Sequence, residues 1–258
     1  MRNLCALIKR DIRSYFSSMI AYVVIMIFLV VVGYFFFSFT LIYARISMHM
    51  GSDPSLAKNL NQMDTIVRPL FMNLSIVLLL LIPILSMRSL AEEKKQGTME
   101  LLFTYPLKNT DIVLGKYASL LFIFIIMLLP MTIYFGLLLL CGASLPLIPL
   151  LIAFLGVFLL GASFISFGLF ASSITENQTI AAVLSFGALL LFWLVGWAGD
   201  FLNIQWLAVT LTEISLLSHY RNFVAGIIDT NDLIYYVLFI IFSLYLTLRV
   251  VEKRNWRS

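Results

Sequence analysis

The chain has 258 residues, of which 62% are hydrophobic and only 12% are charged, and its formal net charge is +4. A typical soluble domain has about twice that share of charged residues, so a core of this size would lack polar cover in water. The mean hydropathy of +1.02 therefore excludes a water-soluble fold and indicates that lipid is the solvent. The small positive charge does not point to a nucleic-acid partner.

Six uncharged apolar stretches are long enough to cross a membrane, whose hydrocarbon core requires about 20 apolar residues of helix. They are Met19–Ile42, Leu70–Met87, Tyr117–Leu140, Leu147–Ser172, Thr179–Ala198 and Leu233–Leu248. None alternates polar and apolar residues as an outer-membrane strand does. The sequence thus predicts an all-α membrane protein with six transmembrane helices in a single domain over residues 1–258.

Basic residues divide unequally between the two sides of these spans. Thirteen lie on the side of both termini, namely Arg2, Lys9, Arg10, Arg13, Arg88, Lys94, Lys95, Lys108, Lys116, Arg249, Lys253, Arg254 and Arg257. Four lie on the other side, namely Arg45, Lys58, Arg68 and Arg221. Since cytosolic loops carry the excess of Lys and Arg, both termini are expected in the cytosol. Cys5 and Cys141 then lie on opposite sides and cannot form a disulfide within one chain.

Residues 2–16 place apolar side chains at helical spacing and basic side chains on the other face. This pattern predicts an amphipathic helix in the cytosolic interface of the membrane. Its defining residues are Leu4, Ile8, Lys9, Arg10, Ile12 and Arg13. The helix by itself favours a topology anchor held by anionic lipid, and a docking surface for a cytosolic partner is compatible with the same pattern.

The cytosolic segment Arg88–Lys116 is too patterned for a plain linker. Ser89–Gln96 predicts a short charged helix that ends at Gly97. Thr98 is expected to cap a second short helix, and Thr110 to cap the third span. Charges of both signs beside an apolar patch suit a protein partner, but composition alone is equally compatible with a connecting interfacial loop.

Small residues cluster at the end of the fourth span, where they predict close helix packing, with a polar stripe lining a substrate path as the weaker alternative. They are Gly161, Ala162, Ser163, Ser166, Gly168, Ala171 and Ser172. On the outer side, Ile204–Leu217 predicts a shallow or re-entrant helix, and Thr230–Asp232 is expected to cap the last span. Trp193, Trp197 and Trp206 suit an interfacial aromatic belt.

No catalytic motif occurs in the chain, since H-E-x-x-H, C-x-x-C and G-x-S-x-G are all missing. Gly115–Lys116 lacks the leading glycine and the following Ser or Thr of a phosphate loop, so no ATP site is expected. His49 and His219 are isolated and are expected to be solvent or interface residues rather than ligands. The apolar stretches hold no charge of the kind that ion-coupled carriers use. A transporter of this type needs energy from elsewhere.

Three segments resemble the membrane subunits of ABC type-2 exporters, and most closely the gliding-motility-type permeases. They are Leu90–Tyr117, Gly168–Ala181 and His219–Tyr236. The layout of six spans with both ends in the cytosol matches over essentially the whole chain. The resemblance implies a non-enzymatic permease subunit in the bacterial cytoplasmic membrane, which forms a translocation pathway at the interface with a second permease, identical or paralogous.

The same resemblance implies that Arg88–Lys116 is a coupling helix seated in a separate ABC ATPase, two copies of which bind ATP and Mg²⁺. The implied docking residues are Ala91, Glu92, Glu93, Lys94, Gln96, Gly97, Thr98, Glu100, Leu101 and Pro106. Short re-entrant helices would form an outer gate at Trp206, His219, Tyr220, Arg221, Gly226 and Asp232. The alternative function is a non-transporting membrane anchor that couples a cytosolic ATPase to another membrane process. No catalytic residue, metal or cofactor is expected in this chain itself.

The cargo is suggested only by the apolar interiors of the spans. They favour a lipid-like or amphiphilic substrate, although lipid-facing residues have the same composition.

Overall fold

The computed structural model describes residues 2–50, 61–99, 108–143, 145–201 and 205–255, and the regular structure in these ranges is helical. Helix α1 covers Arg2–Ser17 and α2 covers Met19–Met50. A π-helical turn, Met63–Val67, leads into α3 (Arg68–Ser86), and α4 covers Arg88–Lys95. There follow α5 (Asn109–Leu128), α6 (Met131–Leu140), α7 (Leu147–Ile174), α8 (Gln178–Phe201), α9 (Gln205–Ile214), α10 (Leu216–Val224) and α11 (Thr230–Asn255).

Six segments among the described residues are long and apolar enough to cross a membrane, which confirms the predicted number. They are Met19–Met48, Met63–Lys95, Asn109–Leu140, Leu147–Ile174, Gln178–Gly196 and Thr230–Lys253. Most extend beyond the apolar stretches that predict them. Helical hydrogen bonding continues into the polar flanks because backbone groups near lipid require partners within the segment. Within the third span, Pro130 separates α5 from α6.

Contacts between the first and second spans show that these two run in opposite directions. At one end of the bundle Arg88 donates a hydrogen bond to Ser18, and at the other Gln62 Nε2 donates to Tyr43 OH at 3.3 Å. We call the first end, which holds α1 and α4, the α4 end. The second holds α9 and α10 and is called the α10 end. With six crossings, the chain enters its first span and leaves its last span at the α4 end.

Helix α7 lies at the centre of the bundle, where its small residues permit close contacts. A Cβ atom added to Gly161 would lie 2.2 Å from Phe124 of α5, and one added to Gly168 would lie 2.1 Å from Ser86 of α3. On the α10 side, a Cβ at Gly156 would lie 2.4 Å from Phe223 Cβ. The predicted cluster of small residues at the end of span four is buried throughout. Close packing is therefore confirmed as its structural role.

Two predicted helix caps are wrong. Helix α5 begins at Asn109 after an extended Lys108, so Thr110 lies inside the first turn. At the start of α11, the Oδ1 of Asp229 accepts a hydrogen bond from the amide of Asn231 at 3.1 Å. The cap therefore comes from Asp229, one residue before the predicted Thr230–Asp232. The Asp232 carboxylate bonds to other side chains instead.

The helix predicted over Ile204–Leu217 is divided at Ser215 into α9 and α10. Ser215 has an extended backbone, and its hydroxyl accepts a hydrogen bond from the amide of Ser218 at 3.3 Å. A serine in this position starts a new helix by satisfying an amide that lacks a helical partner. The apolar periodicity continues through the break, which explains why the pattern predicts one helix.

Trp193 was expected in an interfacial belt, but it lies inside the bundle and is 8% exposed. Its indole N–H donates to Ser75 Oγ of α3 at 3.2 Å. A buried indole requires such a partner, and Ser75 supplies it. Trp206 is largely exposed, as expected for a belt residue, whereas the side chain of Trp197 lies outside the described residues.

We expect Gly156→Ala to lower the stability of the bundle by about 1–3 kcal/mol, because the added methyl group overlaps Phe223 Cβ, which moves only with the backbone of α10. The measurement is thermal unfolding of the purified protein in detergent. Gly187→Ala is the matched control, since no atom lies within 4 Å of an added Cβ there. Equal unfolding temperatures for the two variants would contradict the packing argument.

Candidate functional site

Helix α4 is attached to the end of the central helix α7 through Ser172. The Ser172 hydroxyl accepts hydrogen bonds from the amides of Leu90 at 3.1 Å and Ala91 at 2.9 Å. It also donates to the carbonyl of Met87 at 2.9 Å. The first amides of a helix lack helical partners, and here a side chain of α7 supplies one. Three hydrogen bonds therefore connect the start of α4 to α7.

Lys94 strengthens the same attachment. Its side chain is buried, and its ammonium group donates to the carbonyl of Ser173, one residue from the end of α7. A cation at the C-terminal end of a helix is favoured by the helix dipole. Ala91 is also fully buried. These two predicted docking residues thus face the bundle, because the helix surface they occupy is the one that contacts α7.

Four charged residues form a network that joins α1, α4 and α5. Glu93 of α4 lies 2.8 Å from Arg10 Nη2 of α1 and 2.9 Å from Lys116 Nζ of α5. Asp11 of α1 lies 2.8 Å from Arg10 and 3.5 Å from Lys116. We call Arg10, Asp11, Glu93 and Lys116 the α4-end network. Each carboxylate contacts both cations, so the four charges balance.

The network is largely shielded from solvent. The Lys116 side chain is 4% exposed and that of Asp11 is 7% exposed, whereas Arg10 is half exposed. Burial opposes the charge of Arg10, but the carboxylates of Asp11 and Glu93 outweigh this effect and raise the pKa of Arg10 above its ordinary value. Removing one partner from such a cluster leaves an uncompensated buried charge, which is the costly outcome.

The position of Lys116 corrects the expectation that charge is absent from the spans. The uncharged stretch begins at Tyr117, but α5 begins at Asn109, and Lys116 lies two turns inside it. Asp232 lies in a similar position, buried in the first turn of α11. Both residues lie within the first two turns of spanning helices, where Lys116 is paired with carboxylates and Asp232 contacts His219.

A cavity of about 340 Å³ lies between α1 and α4, and the four residues of the α4-end network are among those that line it. Tyr15 of α1 and Ser89 of α4 are among its lining residues, and burial raises the pKa of the Tyr15 phenol. The contact between α1 and α4 is therefore ionic and polar rather than closely packed.

The remaining docking residues lie on the outward side of α4 and at its end. Glu92 forms an ion pair with Arg88 at 2.8 Å and is partly exposed. Gln96 and Gly97 are exposed, and Gly97 has a φ of +70° with its amide bonded to the carbonyl of Lys94. The predicted helix end at Gly97 is confirmed. Thr98 is partly buried, and Glu100, Leu101 and Pro106 lie outside the described residues.

Helix α1 packs against α5 instead of lying entirely on lipid. Leu7 is buried so closely against Gly115 that an added Cβ there would lie 2.5 Å from its Cδ2. Of the residues predicted for the interfacial helix, Ile8 and Ile12 are partly buried, Lys9, Arg10 and Arg13 are exposed, and the side chain of Leu4 lies outside the described residues. Asp11 was not among the predicted site residues. It lies four residues after Leu7, on the same face of α1, and a carboxylate on an apolar helix face indicates that its charge has a partner.

At the α10 end, four side chains form a second polar group, which we call the His219 cluster: His219, Asn222, Asp232 and Tyr235. His219 Nδ1 lies 2.6 Å from Asp232 Oδ1, and Asn222 Nδ2 donates to Asp232 Oδ2 at 2.9 Å. The Tyr235 ring stacks on the imidazole with centroids 4.0 Å apart. His219 is buried, so the expectation of a solvent or membrane-interface residue is wrong.

The other predicted gate residues divide into two groups. Tyr220 is buried and donates to the carbonyl of Phe71 at 2.7 Å, which attaches α10 to α3. Gly226 ends α10 with a φ of +82° and packs against Pro149. Trp206 and Arg221 are exposed. The structure thus brings together His219 and Asp232, places Tyr220 and Gly226 against the bundle, and leaves Trp206 and Arg221 on the surface.

Six membrane-crossing helices, with a short polar helix attached at one end and two short helices packed at the other, define a polytopic α-helical membrane protein. The chain belongs to the ABC-2 family of transporter proteins, whose family model matches residues 43–251. The match contains α3 to α10 completely, together with most of α11. No curated protein matches the sequence. The resemblance is therefore confirmed at the level of the ABC-2 family, and its closer relation to gliding-motility-type permeases stays a prediction.

We expect Lys116→Met to destabilise the protein by roughly 3–5 kcal/mol, because the carboxylates of Asp11 and Glu93 would lose a buried cation. Thermal unfolding in detergent measures the effect, and Lys95→Met at an exposed position of α4 is the control. The double variant Lys116→Met with Glu93→Gln should lose less than the sum of the single losses. Additive losses would show that the two residues act independently.

Proposed function

We propose that the chain is the membrane-spanning permease subunit of an ATP-binding-cassette exporter, driven by two copies of a separate ABC ATPase. The observation that carries this proposal is the ABC-2 family match over residues 43–251. ATP and Mg²⁺ bind to the ATPase, and a second permease subunit, identical or paralogous, completes the transporter. The substrate crosses at the interface between the two permeases, and apolar span interiors favour a lipid-like or amphiphilic molecule.

The α4 end faces the cytosol in this proposal. Twelve of the thirteen basic residues assigned to the side of the termini belong to described segments at the α4 end, and Arg257 lies outside the described residues. By the positive-inside rule, that side faces the cytosol. The exposed basic side chains of Lys9 and Arg13 on α1 then lie near anionic headgroups. The membrane is the bacterial cytoplasmic membrane.

The outward side of α4 and the turn after it form the ATPase-docking surface. Lys95, Gln96 and Gly97 are exposed at the end of α4, and Glu92 is partly exposed beside them. Ala91, Glu93 and Lys94 face the bundle. This division supports separate roles for the two sides of the helix: the exposed side contacts the ATPase, and the buried side connects it to the spans.

The inward contacts of α4 are suited to transmit a displacement. Glu93 joins α4 to α1 and α5, and Ser172 joins it to α7. Arg88, the first residue of α4, also bonds to Ser18, which immediately precedes α2. An ATPase that binds α4 differently in two states therefore acts on several spans at once, and such differential contact is what shifts a conformational equilibrium. The α9–α10 helices at the opposite end act as the outer gate.

We expect Gln96→Trp to reduce recovery of the ATPase with the tagged chain by roughly tenfold, a loss of about 1.4 kcal/mol, because a bulky side chain occupies the docking surface. The tagged chain is purified from its native membrane, and mass spectrometry quantifies the co-purified chain with a G-x-x-x-x-G-K-[ST] motif and ATPase activity. Asn231→Trp, at an exposed position of the α10 end, should leave the ratio unchanged. Absence of such a chain from the wild-type preparation, or an unchanged ratio in Gln96→Trp, would contradict the proposal.

The orientation has an independent test, because the chain has two cysteines, both free and exposed, at opposite ends. In intact cells, a membrane-impermeant maleimide should label Cys141 in the Cys5→Ser variant. It should not label Cys5 in the Cys141→Ser variant until the membrane is permeabilised. Labelling after permeabilisation and denaturation gives the maximum for each variant, with which the other values are compared. The reverse pattern would place the α4 end outside the cell.

A further inference from the structure

The imidazole of His219 lies between two oxygen atoms that belong to different helices. Nδ1 lies 2.6 Å from the carboxylate of Asp232 on α11, and Nε2 lies 2.9 Å from the backbone carbonyl of Glu213 on α9. The ring itself is on α10, so one side chain connects the three helices of the α10 end. Tyr235 covers one face of the ring and donates its own hydroxyl to the carbonyl of Ile214 at 2.5 Å.

Hydrogen-bond chemistry decides the protonation state that this geometry requires. A backbone carbonyl only accepts, and an ionised carboxylate only accepts. A neutral imidazole has one N–H, so it satisfies one of the two oxygens and directs a lone pair at the other. With Asp232 ionised and accepting from Asn222 Nδ2, both ring contacts are hydrogen bonds only when the imidazole carries two N–H groups.

We infer that His219 is a proton-dependent latch on the last turn of helix α9: the imidazolium bonds both Asp232 and Glu213, and loss of one proton releases that turn from α10, while α9 stays packed on α8 and Tyr235 stays bonded to Ile214. The neutral ring keeps its N–H on the Asp232 carboxylate, which is the stronger acceptor. Its Nε2 lone pair then faces the Glu213 carbonyl at hydrogen-bond distance. The contact that fails is therefore the one between α10 and α9.

The other ionisable groups near the ring, taken helix by helix, are exposed or bonded elsewhere. On α9 the Glu213 side chain is exposed, and its backbone carbonyl rather than its carboxylate reaches the ring. On α10, Arg221 is exposed and Tyr220 bonds to the carbonyl of Phe71. On α11, Tyr236 bonds to the carbonyl of Leu216, and Asp229 caps the helix.

The remaining helices packed on α10 add no competing charge to the ring. Helix α7 and the described side chains of α8 include no charged residue. On α3, Arg68 pairs with Asp64 and donates to the carbonyl of Ala225. Asp232 is thus the charged group that contacts the imidazole.

The sign of the pH dependence follows from the protons bound in each state. The docked state of the last turn of α9 holds one more proton than the released state, so acid favours docking and alkali favours release. A single linked proton changes the ratio of the two states by at most about tenfold per pH unit. If the α10 end faces outward, as proposed above, the proton comes from the external solution. The latch itself requires neither that orientation nor an ATPase.

Hydrogen exchange of the full chain in lipid nanodiscs tests the latch between about pH 5 and pH 8, the range in which histidine titrates. After correction for intrinsic rates, the amides in the last turn of α9 should exchange faster as the pH rises, by up to about tenfold per pH unit. His219→Gln should abolish this dependence. Glu213→Gln is the matched control, because it removes a carboxylate from the same residue and keeps the carbonyl, so the wild-type dependence should remain. Exchange that is independent of pH in the wild type, or equally dependent in His219→Gln, would overturn the inference.

A spectroscopic measurement tests the same inference without changing the latch. The chain has two histidines, so His49→Gln leaves His219 as the single imidazole. With ¹⁵N-labelled histidine, both ring nitrogens should give N–H signals at the acid end of the series. One should convert to the unprotonated signal as α9 exchange accelerates. A ring that remains neutral throughout, or one that titrates while α9 exchange stays constant, would contradict the latch.

Discussion

The structure depends on one constraint, which is that hydrocarbon offers no partner for a charge. A charged side chain near the membrane must therefore reach the headgroups or be neutralised by another part of the protein. Lys116 illustrates the second solution: it is buried in α5, where Glu93 from α4 and Asp11 from α1 compensate it. This requirement accounts for the position of α1 and α4, since each supplies a carboxylate to Lys116.

The same solution occurs at the opposite end with different chemistry. There Asp232 is the buried carboxylate, and His219 and Asn222 of α10 bond to its two oxygens. In both places a charge within the first two turns of a spanning helix contacts a neighbouring short helix. The two attachments differ in how they respond to solution conditions. The α4-end network joins two carboxylates to two cations, whereas the His219 cluster contains an imidazole, whose charge depends on its protonation. One attachment suits a permanent mechanical connection, and the other suits a reversible one.

The sequence predicts the helices that form the site but few of the contacts between them. The end of α4 at Gly97 follows from local backbone preference, because a left-handed residue ends a helix wherever the helix lies. The inward position of Ala91 and Lys94 does not follow, since a helix of eight residues with charges of both signs has no unambiguous apolar face. Trp193 was misplaced for a related reason: an indole suits both a headgroup belt and a buried site with an acceptor, and Ser75 is 118 positions away in sequence.

The solvent, the six spans, the unequal distribution of basic residues and the close packing around span four follow from composition and from spacing along one helix, so they are readable without a structure. Only the tertiary structure decided which charges are buried and what neutralises them. The pairs Glu93–Lys116 and His219–Asp232 each join different helices, and Asp11–Lys116 joins residues 105 positions apart. The sequence indicates that a charge near a membrane needs a partner. Which residue becomes that partner depends on how the helices pack.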